Sequence, residues 1–185
     1  MRALFLLGLI MLSVSCTTLP EVFPDATSER QVAVVLDIDG TLTPSPWRFW
    51  QARDSAAEAV QHYSDQGYEI VYITARIRLL QCQIPGWLED KGFPAGNLYV
   101  TQSSEDRDDT EAFKSRVLRA LIARGWSIQA AFGDSSSDFS AYESVGIAQE
   151  RVYGLRRSGE DDCKSGVWNE CLQGWDIPPP ALSSP

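Results

Sequence analysis

Residues 32–43 read VAVVLDIDGTLT, an apolar run that never alternates with polar residues and then stops on two aspartates, Asp37 and Asp39, one residue apart. Successive side chains of a strand point to opposite faces of a sheet, so an unbroken apolar run marks a strand covered on both sides. Two carboxylates at its end need compensation, because desolvating one is costly and a like-charged neighbour adds to the cost. A metal or a cationic group beside them supplies it.

Outward from this stretch the pattern recurs. Residues 68–74 (YEIVYIT), 97–102 (NLYVTQ), 128–134 (IQAAFGD) and 151–155 (RVYGL) read as further strands. Between them, residues 53–67 form a helix with Ala56, Ala59, Val60 and Tyr63 on one face and Gly67 as its stop. Residues 78–92 are helical with an interruption at Pro85 and Gly86, residues 110–125 form an amphipathic helix ending at Gly125, and residues 136–146 form a short one. Apolar strands separated by helices predict an α/β fold: a single Rossmann-like domain whose parallel sheet carries helices on both faces. The spacing divides the chain into a segment 1–15, a polar linker 16–31, a domain 32–155 and an irregular tail 156–185.

At 185 residues, 44% hydrophobic and 22% charged, the chain fits one globular unit rather than a disordered or fibrous one. Its net charge of −9 repels polyanions and argues against a nucleic-acid partner. The sequence does not set an oligomeric state. Residues 1–15 carry one positive charge, Arg2, and an apolar stretch too short to span a bilayer, which is the form of an export signal. With Cys16 following, this start resembles a bacterial lipoprotein signal, although Ser13 stands where Leu, Val or Ile is usual. The expectation is therefore lipidation of Cys16 and a membrane-anchored protein on the periplasmic side of a bacterial envelope. Cys163 and Cys171 are placed to close a short disulfide loop, which leaves Cys82 as an odd buried thiol.

In a parallel α/β sheet, ligands bind beyond the carboxyl ends of the strands. There the first strand ends in Asp37 and Asp39, the second in Thr74, and the fourth in Asp134, with Asp138 one helical turn on. Lys114 lies in the first turns of the helix before that fourth strand. Residues distant in sequence thus converge on one edge.

The motifs D-x-D-G-T (37–41), Thr74, Lys114 and GDSSSD (133–138) resemble the four motifs of the haloacid dehalogenase superfamily of phosphohydrolases over residues 32–155. Within it, DIDGTLT, YITAR and AAFGDSSSDFSAYESVGIAQERVYGL look like the catalytic domain of the lipin phosphatidate phosphatases. They also look like the related lipid-phosphate-sensing domain of some phosphatidylinositol transfer proteins. The lipin motif usually has Asn after its Gly; here Asp134 restores an acidic position.

The resemblance implies that Asp37 is the nucleophile, that Asp39 is the general acid and then base, and that Thr74 and Lys114 contact the phosphoryl group. It implies a Mg²⁺ ion held by the Asp37 carboxylate, the Asp39 carbonyl and Asp134, with Asp138 bracing that shell or binding directly. Segments 42–73 and 77–113 are too short for the cap domain of many superfamily members, and the resemblance then implies an open site that suits a large or surface-presented substrate, such as a membrane phospholipid, or that oligomerisation closes. Trp47, Phe49 and Trp50 are candidates for an apolar rim or for core. Arg76 and Arg78 are candidates for a second anionic group or for exposed, unpaired arginines, and His62 reads as a surface residue. The leading function is Mg²⁺-dependent phosphomonoester hydrolysis, on phosphatidate or a related lipid phosphate. The alternatives are a non-catalytic lipid-phosphate-binding domain and a phosphatase of soluble sugar phosphates or nucleotides.

Overall fold

Each of the five runs read above as strands becomes a strand of one sheet. The structure, a computed structural model, describes Cys16 and residues 19–182, so the expected export segment lies outside the described residues. The strands are β1 (Val32–Asp37), β2 (Glu69–Thr74), β3 (Asn97–Val100), β4 (Ser127–Gly133), β5 (Val152–Leu155) and β6 (Glu170–Leu172). They lie in the order β3-β2-β1-β4-β5-β6, and every pairing is parallel. The helices are α1 (Ala56–Asp65), α2 (Arg78–Gln81), α3 (Ile84–Asp90), α4 (Ser104–Asp108), α5 (Thr110–Ala123) and α6 (Ser136–Ser144). This is a Rossmann-like α/β domain, and none of the described helices is long and apolar enough to cross a membrane.

The unbroken apolar character of β1 has a direct cause. Val34 and Leu36 enter one core with Ala59, Val60 and Tyr63 of α1 and Trp87 of α3. Ala33 and Val35 enter a second core, on the other face, with Val117 and Leu118 of α5 and Phe139 of α6. Both faces are dry, so neither parity of side chain can be polar. The chain reverses its winding between β1 and β4, the central pair, and at such a point the loops beyond the strand ends separate and leave a crevice.

Three expectations are corrected. The break within residues 78–92 falls at Cys82 and Gln83, not at Pro85 and Gly86. Pro85 lies in the first turn of α3, where the amide it lacks has no helical partner to lose. The tail beyond residue 155 is not irregular throughout: it contributes β6, and Trp175 packs in the core while donating to the Thr41 carbonyl at 3.1 Å. Cys82 is not a lone thiol, for it is bonded to Cys16, while Cys163 pairs with Cys171 as expected. One sulfur cannot hold both a disulfide and a thioether-linked lipid, so the Cys16–Cys82 bridge and the expected lipidation of Cys16 exclude each other. The linker also packs on the domain: Phe23 stacks on Tyr99, and Glu21 pairs with Arg116 at 2.6 Å.

Candidate active site

At the carboxyl end of β1 the chain must turn at once, and Gly40 makes the turn with φ of +99°. A side chain there is excluded twice over, by the backbone angle and because a Cβ would lie 1.8 Å from the Asp134 carboxylate. The glycine of D-x-D-G thus lets Asp134, just past β4, approach the loop that follows β1. Thr43 closes that loop by accepting a hydrogen bond from the Gly40 amide at 2.8 Å. Arg53 laces it from outside, donating to the carbonyls of Gly40 at 2.6 Å and Thr43 at 3.0 Å.

Asp37, Lys114, Asp134 and Asp138 meet beneath a pocket of about 350 Å³. Lys114 is 4% exposed, so it is not a solvated helix residue, and it donates to Asp37 Oδ1 at 2.5 Å and to Asp138. The other oxygen of Asp138 accepts from the amides of Asp134 and Ser135 and from the Ser135 hydroxyl, which caps α6 reciprocally. Asp138 is therefore saturated with donors. Asp37 is not: its Oδ2 is buried and has no hydrogen-bond partner among the described residues. Burial pushes the Asp37 carboxyl well above its usual range, Lys114 pulls it back, and the nearby aspartates push it further up. Burial likewise raises Asp134 to about 6, with Asp138 adding to the shift and Arg157 opposing it. Burial works against the Lys114 ammonium, but Asp138 and Asp37 outweigh it and hold the charge firmly.

These are the conditions a hard divalent cation relieves. Asp37, Asp134 and Asp138 each present a carboxylate oxygen within 4.8 Å of the others. Oxygen donors of this kind suit Mg²⁺, and the partnerless Oδ2 of Asp37 is an acceptor awaiting a positive group. The residues fit the ion, with Asp37 and Asp134 as carboxylate donors and the fully bonded Asp138 orienting them.

Asp39 stands apart from this cluster. Its carboxylate accepts from the Thr74 hydroxyl at 2.9 Å and from Arg76, whose Nη2 lies at 2.6 Å and Nε at 3.1 Å. Arg76 is thus neither exposed nor unpaired. It is 6% exposed, with its guanidinium 4.9 Å from the Trp50 ring centre, 5.6 Å from Trp87 and 5.7 Å from Phe49. Phe49 and Trp50 are consequently half-buried walls around Arg76, and Trp47, at 89% exposure, is the aromatic residue left standing at the pocket mouth. Arg78 is exposed, and His62 lies on the surface against Gln66. Sequence reasoning missed Arg157, which pairs with Asp134, and Arg53. A signal for the first was present: it lies two residues beyond β5, on the same sheet edge as the aspartates.

A family model described as PITM 1-3, LNS2 domain matches residues 34–156, two-thirds of the chain. The chain belongs to the LNS2 domain family. It is 31% identical over 131 residues to protein retinal degeneration B of Drosophila melanogaster, covering 69% of this chain and 10% of that protein. It is 30% identical over 129 residues to membrane-associated phosphatidylinositol transfer protein 3 of Mus musculus, covering 68% of this chain and 13% of that one. This LNS2 domain therefore spans about a tenth of the length of these curated relatives. Of the two resemblances drawn from the motifs, the family model is that of the transfer proteins' domain. Among solved structures, one titled "Structure of the Pnkp1/Rnl/Hen1 RNA repair complex" superposes with a TM-score of 0.54 over 75% of this chain and 47% of that one. At 14% identity that likeness bears on the fold alone.

Proposed function

We propose that this LNS2 domain is a Mg²⁺-dependent phosphomonoesterase of haloacid dehalogenase type that acts on phosphatidate or a related lipid phosphate at a membrane surface. The observation that carries the reading is the partnerless Asp37 Oδ2, buried beside Lys114 and within reach of Asp134 at the floor of the pocket. A bound divalent cation would neutralise the phosphoryl oxygens and lower the repulsion between substrate and Asp37.

Asp37 then supplies the attacking oxygen. As its bond to phosphorus forms, the bond from phosphorus to the alkoxy oxygen breaks, and that oxygen takes a proton from Asp39. Asp39, now ionised, removes a proton from water. The water oxygen attacks phosphorus, and the bond to Asp37 breaks to release phosphate. Lys114 holds the Asp37 carboxylate in one orientation and adds positive charge where the phosphoryl group gathers negative charge. Thr74 and Arg76 fix the position of Asp39.

The same clamp is the observation that favours the second reading, a non-catalytic lipid-phosphate binder, because it ties up both oxygens of the general acid. The relatives' names, as phosphatidylinositol transfer proteins, point the same way. Hydrolysis of an aryl phosphate by the purified chain, with Mg²⁺ and with excess chelator, separates the two. The phosphatase reading expects release only with the metal, and its loss in Asp37→Asn and Asp39→Asn. No release in either condition, with retained binding to phosphatidate vesicles, would establish the binder. Efficient turnover of a soluble sugar phosphate or nucleotide, with phosphatidate in mixed micelles ignored, would keep the enzyme and remove the lipid.

A further inference from the structure

Arg157 lines two cavities. One is the active-site pocket; the other is a cleft of about 430 Å³ between residues 44–54, 156–159 and 173–175. Four arginines, Arg48, Arg53, Arg156 and Arg157, line this cleft against one carboxylate, Asp54. In a chain of net charge −9 such a concentration of positive charge runs against the composition.

Nothing among the described residues neutralises most of it. Arg157 reaches Asp134, but Arg53 donates only to the carbonyls of Thr43, Gly40 and Arg156. Arg156 donates through Nη1 to the Glu160 carbonyl at 3.1 Å, and its Nε is buried without a partner. Arg48 is exposed and forms no ion pair among the described residues. Burial pushes the Arg53 guanidinium downward, Asp134 pulls it back, and the neighbouring charge of Arg156 adds a smaller push downward. Bracing the nucleophile loop accounts for Arg53. It does not account for the unpartnered Nε of Arg156 or for Arg48.

We propose that this cleft is a second anion site, taking a phosphate-type group beside the phosphomonoester bound in the active-site pocket. Guanidinium forks recognise such oxygens in pairs, and an anion here would satisfy Arg156 Nε and relieve the Arg53–Arg156 repulsion. The group is either the head group of a neighbouring anionic lipid or free phosphate. The site does not require catalysis next door, so it stands whether the active-site pocket hydrolyses or only binds.

The test uses the full chain and a double variant, Arg48→Glu with Arg156→Gln, neither residue having a part in the proposed hydrolysis. Inorganic phosphate is titrated calorimetrically in the presence of Mg²⁺, and flotation is measured with phosphatidylcholine vesicles with and without phosphatidylserine. The parent is expected to bind phosphate at two sites and the double variant at one. Loss in the calorimetric arm alone identifies free phosphate as the occupant. A weakening of about tenfold or more toward phosphatidylserine vesicles identifies the neighbouring head group. Unchanged binding in both arms overturns the site. Arg48→Glu alone, at an exposed position, carries the same test if the double variant does not fold. Aryl phosphate turnover is read in parallel: its absence from the parent sinks the phosphatase reading and leaves both binding arms intact.

Discussion

Lys114 is a full positive charge with almost no access to water, and it is balanced by two aspartates that are equally enclosed. Removing one partner of such a group strands the others, at about 3–5 kcal/mol. Lys114→Ala is therefore expected to lower stability by roughly that amount in chemical denaturation and to abolish turnover; a loss below about 1 kcal/mol would show that water reaches Asp37 and Asp138 freely. The titration of the cluster leads to a second expectation. Asp37 and Asp134 hold their protons more tightly in the metal-free fold than in the unfolded chain, so their contribution favours the fold at low pH and is lost as pH rises through about 6 for Asp134. The proposed Mg²⁺ would have to displace those protons and so would bind better above that point. The rise in Tm produced by a fixed Mg²⁺ concentration should be larger at about pH 7.5 than at about pH 5, and an equal rise at both would contradict the assignment of Asp134 as a ligand.

At the scale of elements, β1 is the part on which both layers rest. Leu36 is fully buried in the core it shares with α1, and Leu36→Ala should cost about 2–5 kcal/mol by denaturant titration. The strands and the residues at their ends were legible in the sequence because a parallel sheet under two helical layers leaves one pattern, an apolar run closed by polar residues at the ligand edge. The partners of those residues were not legible. Nothing in the spacing of YITAR shows that Arg76 folds back onto Asp39 between three aromatic rings, since that depends on where residues 49, 50 and 87 arrive in space. The short β6 escaped for another reason: Glu170, Cys171 and Leu172 make an edge strand of one exposed, one half-buried and one buried residue, with no apolar run to mark it. Cysteine pairing belongs to this scale too. The Cys16–Cys82 bridge joins residues 66 apart, and on a chain-entropy argument closing a loop of that size is worth about 4 kcal/mol. A non-reducing peptide map should yield the Cys16–Cys82 linked pair, and an acylated Cys16 peptide in its place would show that the anchor wins.

The chain is acidic overall, and among the described residues the active-site pocket has an apolar mouth. Trp47 at 89% exposure and Ile77 at 56% both line the pocket entrance, and Arg48 and Arg78 are exposed beside them in sequence. A net charge of −9 opposes general adhesion to anionic lipid, so the proposed contact with a bilayer would fall to this local patch. Trp47→Ala is expected to slow hydrolysis of phosphatidate in vesicles severalfold while leaving a soluble aryl phosphate unaffected; equal effects on both substrates would place Trp47 in the chemistry and not at the surface. The proposed hydrolysis depends on Asp37 forming a bond to phosphorus. The direct measurement is acid quenching of the Mg²⁺-loaded protein during turnover, followed by mass analysis of the peptide that contains Asp37. The account predicts that this peptide carries one phosphoryl group on Asp37, whereas phosphate release from a protein whose Asp37 peptide stays unmodified throughout would contradict it.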